Sequence, residues 1–135
     1  MFRVIVCVAL LLPLLVACEK EQSMSFEPGV YKGSFRRSGQ GYNGTSRSEV
    51  ELIFDGTTFW GSSALPYYPA IGEGKYSLMR DKIVFRNESV FPANFDWSLI
   101  LDESFSTNME GDSIVLIKGH STTSLHHDVY TLKKQ

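Results

Sequence analysis

From Gly29 onward, apolar side chains recur at every second position rather than every third or fourth, which is typical of strands with one buried face. In the first such run, Tyr31 and Phe35 share a face while Lys32 and Ser34 share the other. The alternation predicts strands over 30–35, 49–54, 82–86, 96–101 and 129–133. Weaker alternation predicts further strands over 57–62, 75–78, 105–109 and 113–118.

The connections between these runs predict an antiparallel arrangement. Asp55-Gly56, Arg80-Asp81 and Glu110-Gly111-Asp112 contain residues that tolerate the tight backbone of a hairpin. A chain of eight or nine short strands joined in this way is a meander, which can close into a barrel or fold into a sandwich. Because closure removes exposed strand edges, we predict an all-β single antiparallel meander barrel of about eight strands, with a β-sandwich as the alternative.

The beginning of the chain has a different pattern. Arg3 precedes an apolar run over 4–16 in which no polar face appears. As a helix, that run would be roughly 20 Å long, which is short of the bilayer's hydrocarbon core of about 30 Å. A positive start, a short apolar middle and small residues at the end indicate a signal peptide over 1–17.

The four residues at the end of that run, Leu15-Val16-Ala17-Cys18, resemble the lipobox of bacterial lipoproteins. The resemblance implies cleavage after Ala17 and attachment of a diacylglyceryl group to the Cys18 thiol. Several acyl chains on one residue hold a protein firmly on a bilayer, whereas one chain holds it only marginally. We therefore predict a lipidated N-terminus and tether over 18–28, followed by a β-barrel domain over 29–135.

Glu19-Lys20-Glu21 places charge immediately after the predicted anchor. In the bacterial lipoproteins that this stretch resembles, an aspartate directly after the cysteine is the inner-membrane retention signal. Here that position holds Glu19 instead. The resemblance implies a cell envelope protein, lipid-anchored in the outer membrane, with its periplasmic or surface face left open.

The two ends of the domain resemble lipocalin-like barrels. Gly29-Val30-Tyr31 is similar to the Gly-x-Trp/Tyr of their first strand, and the closing stretch 130–134 is similar to a last strand that pairs with the first. The resemblance implies a barrel that binds a small hydrophobic ligand.

Composition narrows the classes of function. The formal net charge of the whole chain is −2, with the two signs interspersed, which gives no electrostatic footprint for nucleic acid. Of the two cysteines, Cys7 leaves with the signal peptide and Cys18 carries lipid, so we expect no disulfide in the mature domain. No hydrolase elbow, phosphate loop or metalloprotease motif is present, and we predict a protein that is not an enzyme and has no cofactor.

Large residues predicted to point inward would either line a calyx or fill the barrel, since eight strands enclose just enough room for one small ligand or for side chains. The predicted ligand-binding residues are Tyr31, Phe35, Phe54, Trp60, Tyr76, Phe85, Trp97 and Leu99.

Two loops are apolar where polar residues would be expected. The loop over 63–71 contains Leu65, Tyr67 and Tyr68 together with two prolines, and the loop over 90–95, with Phe91, is expected to pack against it. These four residues would form a rim that grips a ligand or an envelope protein partner, or would plug one end of the barrel. The second alternative for the whole protein is therefore a solid-core interaction module.

The remaining candidates are polar. Arg36 and Arg37 are predicted to lie in a solvated first hairpin. His126 and His127 are neighbours on a predicted strand and point to opposite faces, so with His120 they are interpreted as surface histidines and no metal site is predicted.

Overall fold

The structure is a computed structural model, and it describes residues 26–39, 46–119 and 126–135. The predicted signal peptide, Cys18, the tether as far as residue 25, the loop over 40–45 and His120 lie outside the described residues.

Eight antiparallel strands form a closed barrel in which each strand pairs with its neighbours in the sequence and the last pairs with the first. The strands are β1 (Gly29–Gly39), β2 (Arg47–Phe54), β3 (Thr58–Ser63), β4 (Gly72–Met79), β5 (Lys82–Asn87), β6 (Glu103–Glu110), β7 (Ser113–Lys118) and β8 (His126–Lys134). A short 3-10 helix (Trp97–Leu99) lies between β5 and β6. The predicted meander barrel is confirmed, and the sandwich alternative is wrong.

The barrel closes where β1 pairs with β8, in a register that sets Phe35 opposite Tyr130 and Arg37 opposite Asp128. A close approach of the two backbones accompanies this closure. A Cβ atom built on Gly33 would collide with the backbone carbonyl oxygen of Thr131. Glycine at this position therefore allows the first and last strands to meet.

The connections between the strands lie alternately at the two ends of the barrel. At one end, which we call the hairpin end, the tight turns at 55–57, 80–81 and 111–112 lie with the chain's first described residue, Phe26, and with Gln135. At the other, the loop end, are the longer described connections at 64–71 and 88–102, together with the end of β1 and the start of β8. Phe26, where the described chain begins, therefore lies at the opposite end of the barrel from the loop end.

Inward side chains fill the barrel. They are buried because alternate residues of each strand point to its axis, and the rings contact one another from strand to strand. Ring centroids are 5.0 Å apart for Phe54–Tyr76 and Phe59–Phe85, 5.5 Å for Phe85–Phe105 and 5.7 Å for Phe105–Tyr130. The buried residues in this packed interior include Tyr31, Phe35, Leu52, Ile83, Ile114, Leu116 and Leu132.

At the hairpin end, Phe26 closes the mouth of the barrel. Its ring stacks on Tyr31 at 5.2 Å and meets Phe54 edge-on at 4.7 Å. The next residue, Glu27, accepts a hydrogen bond from the Tyr31 hydroxyl through its carbonyl oxygen, and its carboxylate accepts one from Lys134 Nζ at 2.6 Å. The packed body of the protein therefore extends to Phe26, three residues ahead of β1.

Two of the predicted inward residues are on the outside. Trp60 is 42% exposed because Phe59, its neighbour in β3, takes the inward position and alternation turns Trp60 outward. The predicted strand over 96–101 is also wrong, since Asp96 caps a 3-10 helix by accepting a hydrogen bond from the Ser98 backbone N–H at 3.0 Å. Period-two spacing does not apply in such a helix, and Trp97 is 57% exposed.

Tyr130 supplies a test of the filled interior. Burial raises its pKa well above the ordinary value of 10.0, and Asp128 nearby adds to the effect. The unfolded chain therefore loses this proton at a lower pH than the folded protein does. The stability contributed by this group is complete below pH 10.0 and is lost as the pH rises toward the folded pKa, by up to about 1.4 kcal/mol per pH unit.

We therefore expect Tyr130→Phe to make the alkaline loss of stability less steep than in the parent. Free energies of unfolding in urea, measured for both proteins at neutral pH and above pH 10.0, check this. Identical slopes for the two proteins would mean that the Tyr130 hydroxyl is accessible to water.

Candidate binding surface at the loop end

The loop over 64–71 is held in a defined shape by its own polar groups. The Ser63 hydroxyl lies 2.6 Å from the Pro69 carbonyl oxygen and 2.9 Å from that of Leu65. The Tyr68 backbone N–H donates to the Leu65 carbonyl oxygen at 3.1 Å. Within this turn Tyr67 has a left-handed backbone, with φ of 55°. Such a conformation is uncommon for a tyrosine, and here it sends neighbouring side chains in different directions.

The two tyrosines of this loop have different positions, one at the end of the barrel and the other at the rim. The Tyr68 ring packs edge-on against the buried Phe35 at 5.3 Å, and its hydroxyl donates to the Ser46 carbonyl oxygen at 3.4 Å. Tyr68 therefore covers the end of the barrel. Tyr67 is 43% exposed and points away from the interior, as Leu65 does. Tyr68 of this loop therefore closes the end of the barrel, whereas Tyr67 remains at the exposed rim.

Tyr67 begins a series of aromatic contacts across the second loop. Its ring stacks on Phe95 with centroids 4.6 Å apart and planes inclined by 20°. Phe95 in turn contacts Phe91 at 5.7 Å and Trp97 at 6.4 Å. The predicted packing of the two loops is confirmed, and we call Tyr67, Phe91, Phe95 and Trp97 the aromatic row.

Trp97 is fixed at the end of this row. Its indole N–H donates to the Pro92 carbonyl oxygen at 3.0 Å, which spans the loop in which both residues lie. Its exposed face is thus held in one orientation, and the entropy lost when a partner covers it is small compared with that of a flexible side chain.

Arg37 anchors the 3-10 helix to the barrel. Its side chain is 1% exposed, and Nε and Nη2 donate to the two carboxylate oxygens of Asp128 on β8 at 2.6 and 2.7 Å. Nη1 donates to the Ser98 hydroxyl at 2.7 Å and to Asp96 at 3.3 Å, and Nη2 donates to the Ser98 carbonyl oxygen at 2.9 Å. The planar guanidinium thus joins β1, β8 and the helix that carries Trp97.

The predicted position of Arg37 in a solvated loop is wrong, because β1 continues to Gly39 and alternation carries Arg37 inward after Phe35. A signal for this was present in the sequence. Arg37 lies two residues beyond Phe35, and Asp128 lies two residues before Tyr130, so both continue inward-facing series on strands that pair. Opposite charges at matching inward positions of the first and last strands could have identified the pair.

A cleft of about 410 Å³ opens beside this anchor and has Trp97 in its wall. Apart from Ile100, the remaining lining residues are polar, and Arg37, Asp102, Lys118 and Asp128 give the cleft both signs of charge. Lys118 Nζ lies 2.9 Å from a Glu103 carboxylate oxygen and donates to the Asp102 carbonyl oxygen at 3.0 Å. The cleft therefore continues the aromatic row into a polar recess at the rim.

The predicted ligand-binding residues do not form one site. Tyr31, Phe35, Phe54, Tyr76 and Phe85 are inward and packed together, and Leu99 is buried from the 3-10 helix. Among the described ranges, no three His, Cys, Asp or Glu side chains come together as a metal site. No helix between residues 26 and 135, the two gaps aside, is long and apolar enough to cross a membrane.

Comparison with known protein families, with curated proteins and with solved structures found no match. What defines the class of this protein is thus its own architecture. It is a closed eight-stranded antiparallel meander barrel with a filled interior, and it carries an exposed aromatic row and a polar cleft at the loop end.

Proposed function

We propose that this protein is a lipid-anchored, non-enzymatic interaction module of the bacterial cell envelope, in the outer membrane, that binds an envelope protein through its loop end. The observation that carries the proposal is the aromatic row, in which four rings from two loops contact one another at the rim while Tyr67 and Trp97 remain exposed.

The filled interior favours this function over a calyx for an apolar ligand. Ligand pockets usually enclose about 300–1,000 Å³, whereas the inward rings contact one another along the barrel at 5.0 to 5.7 Å. A small hydrophobic molecule would have to displace packed side chains to enter. The alternative in which the barrel is a rigid support for its loops requires no such change.

The composition of the loop end also suits a protein partner. Exposed tyrosine and tryptophan are enriched at the centres of protein interfaces, where each offers a large apolar surface and a polar group. Trp97 borders the polar cleft, so an apolar contact and its polar surroundings are adjacent. The row lies at the opposite end from Phe26, which is where the chain arrives from the proposed anchor at Cys18.

We expect the double substitution Tyr67→Ala, Trp97→Ala to weaken partner binding by on the order of 2 kcal/mol or more, which is roughly thirtyfold in Kd. A photo-crosslinking residue at position 65, in the full-length protein in intact cells, should give a discrete protein adduct, and its partner can then be purified for affinity measurement. Tyr68→Ala is not a suitable variant, because Tyr68 packs on Phe35 and its loss would disturb the barrel.

Trp60→Ala is the matched control, since Trp60 is an exposed tryptophan on the side of the barrel. It should bind the partner as the parent does. Equal binding by the loop-end double variant would contradict the proposal. An apolar small molecule that stays with the purified protein in native mass spectrometry would support the calyx instead.

A further inference from the structure

We propose that the tip of the hairpin between β4 and β5 inserts into the membrane surface, as a second attachment beside the lipid. This inference rests on the anchoring proposed above. The tip consists of Leu78, Met79, Arg80, Asp81 and Lys82. Leu78 is 38% exposed and Met79 is 60% exposed, so two consecutive large apolar residues have exposed side chains where β4 meets the turn.

The position of this tip identifies what would cover it. The turn at 80–81 is at the hairpin end, where the described chain begins at Phe26. Eight residue-to-residue steps separate Cys18 from Phe26 along the sequence. At 3.3–3.6 Å per residue, they span at most roughly 29 Å, so a lipid on Cys18 would keep the hairpin end near the bilayer. Because the tether joins the barrel at Phe26, the hairpin end lies nearer to the anchor than the loop end does.

The three turns at this end differ in their chemistry. Asp55 and Asp112 are in the other two turns, and their carboxylates would be repelled by anionic headgroups. In the β4–β5 tip, Arg80 and Lys82 outnumber Asp81 and come directly after the two apolar residues, with Lys82 paired to Met79 across the turn. Apolar side chains that enter the acyl boundary, with basic side chains at headgroup level, are the pattern of an interfacial membrane contact. This turn alone of the three has that combination.

The tip has the rigidity that such a contact needs. Met79 pairs with Lys82 across the turn, and the Asp81 carbonyl oxygen accepts a hydrogen bond from the Thr107 backbone N–H of β6 at 2.8 Å. In the closed ring, β5 is four strands from β1 in either direction. A membrane contact at the tip lies across the barrel from the first strand. The tether and the tip together would therefore hold the barrel axis close to the bilayer normal, with the aromatic row pointing away from the bilayer.

Site-specific fluorescence in the full-length lipidated protein tests this. The substitution Met79→Cys provides a site for a solvatochromic NBD label. Under the proposed function the native cysteines do not react with it, because Cys7 leaves with the signal peptide and the Cys18 thiol carries lipid. The protein is reconstituted into vesicles of phosphatidylethanolamine and phosphatidylglycerol that contain an acyl-chain spin-label quencher. We expect blue-shifted emission and strong quenching for the label at position 79.

Two matched sites complete the experiment. Thr57→Cys places the label in a polar turn of the same end, and Val90→Cys places it on the fully exposed Val90 at the loop end. We expect weaker quenching at 57 than at 79, and none at 90. If the vesicles carry the protein and position 79 emits as position 90 does, or if 57 and 79 are quenched alike, the tip contact is refuted. If the parent chain takes label at Cys18 or fails to float with vesicles, the anchor itself fails, which is a separate result.

Discussion

Replacement of Arg37 by methionine is expected to lower the free energy of unfolding by about 3–5 kcal/mol, because removal of one partner of a buried ion pair leaves the other charge without compensation. Asp128 is the residue left behind, buried on β8 and deprived of both guanidinium contacts. The Ser98 carbonyl oxygen and hydroxyl lose their donors at the same time. Urea denaturation followed by circular dichroism measures the loss.

Arg36→Met is the matched control, because Arg36 precedes Arg37 in β1 and faces solvent. It should change the free energy of unfolding by no more than about 0.5 kcal/mol. The pair Arg37→Met, Asp128→Leu replaces both buried charges by apolar groups, which is often neutral or stabilising, and should recover much of the stability. A single Arg37→Met variant as stable as the Arg36→Met control would contradict the buried pair.

Arg37→Met should also loosen the loop end. The side chain joins the 3-10 helix to β1 and β8, and this helix carries Trp97. Trp97 fluorescence in a Trp60→Phe background reports on that environment directly. The double variant at Arg37 and Asp128 restores packing but lacks the donors to Ser98, so it should recover stability without recovering the Trp97 signal.

Phe85→Ala is expected to destabilise the barrel by about 3–5 kcal/mol, since truncation of a buried phenylalanine loses its transfer free energy and leaves a cavity. Phe85 is in contact with Phe59 at 5.0 Å, with Phe105 at 5.5 Å and with Phe54 at 6.3 Å. It therefore joins rings from four strands in the middle of the barrel. Urea denaturation measures this change as well.

Trp60→Ala provides the comparison for this substitution, because it removes a larger aromatic side chain from the outer face of β3. Its effect should be well below that of Phe85→Ala. A loss of less than about 1 kcal/mol for Phe85→Ala would mean that the interior is loosely filled, since fully packed phenylalanines cost several times more to remove. That result would favour the calyx for a small hydrophobic ligand.

Local alternation and the turn residues were sufficient to predict the strands, and the removal of exposed strand edges favoured the barrel over the sandwich. In β2, for example, Val50, Leu52 and Phe54 are all buried, and the Asp55-Gly56 turn that follows joins β2 to β3 as expected. Such patterns are readable because the period of a strand is two wherever one face is buried. Eight of the nine predicted strands correspond to β1–β8, and the ninth became the 3-10 helix.

The errors at Trp60 and Arg37 share a cause, which is that the direction of a side chain depends on strands that are distant in the sequence. In β3, Phe59 and Trp60 are both suited to the interior, and the register with β2 and β4 selected Phe59. At the end of β1, Arg37 appeared suited to solvent. Its burial became favourable only because the closure of the barrel brought Asp128 opposite it.

The sequence by itself thus determined the antiparallel strands, their turns and the aromatic character of the two loops, because each depends on residues close together in the chain. The tertiary structure alone decided that the interior is filled, that Arg37 pairs with Asp128 and that Tyr67 faces outward while Tyr68 faces inward. These depend on contacts between strands that are distant in sequence, and closure of β1 on β8 creates several of them at once.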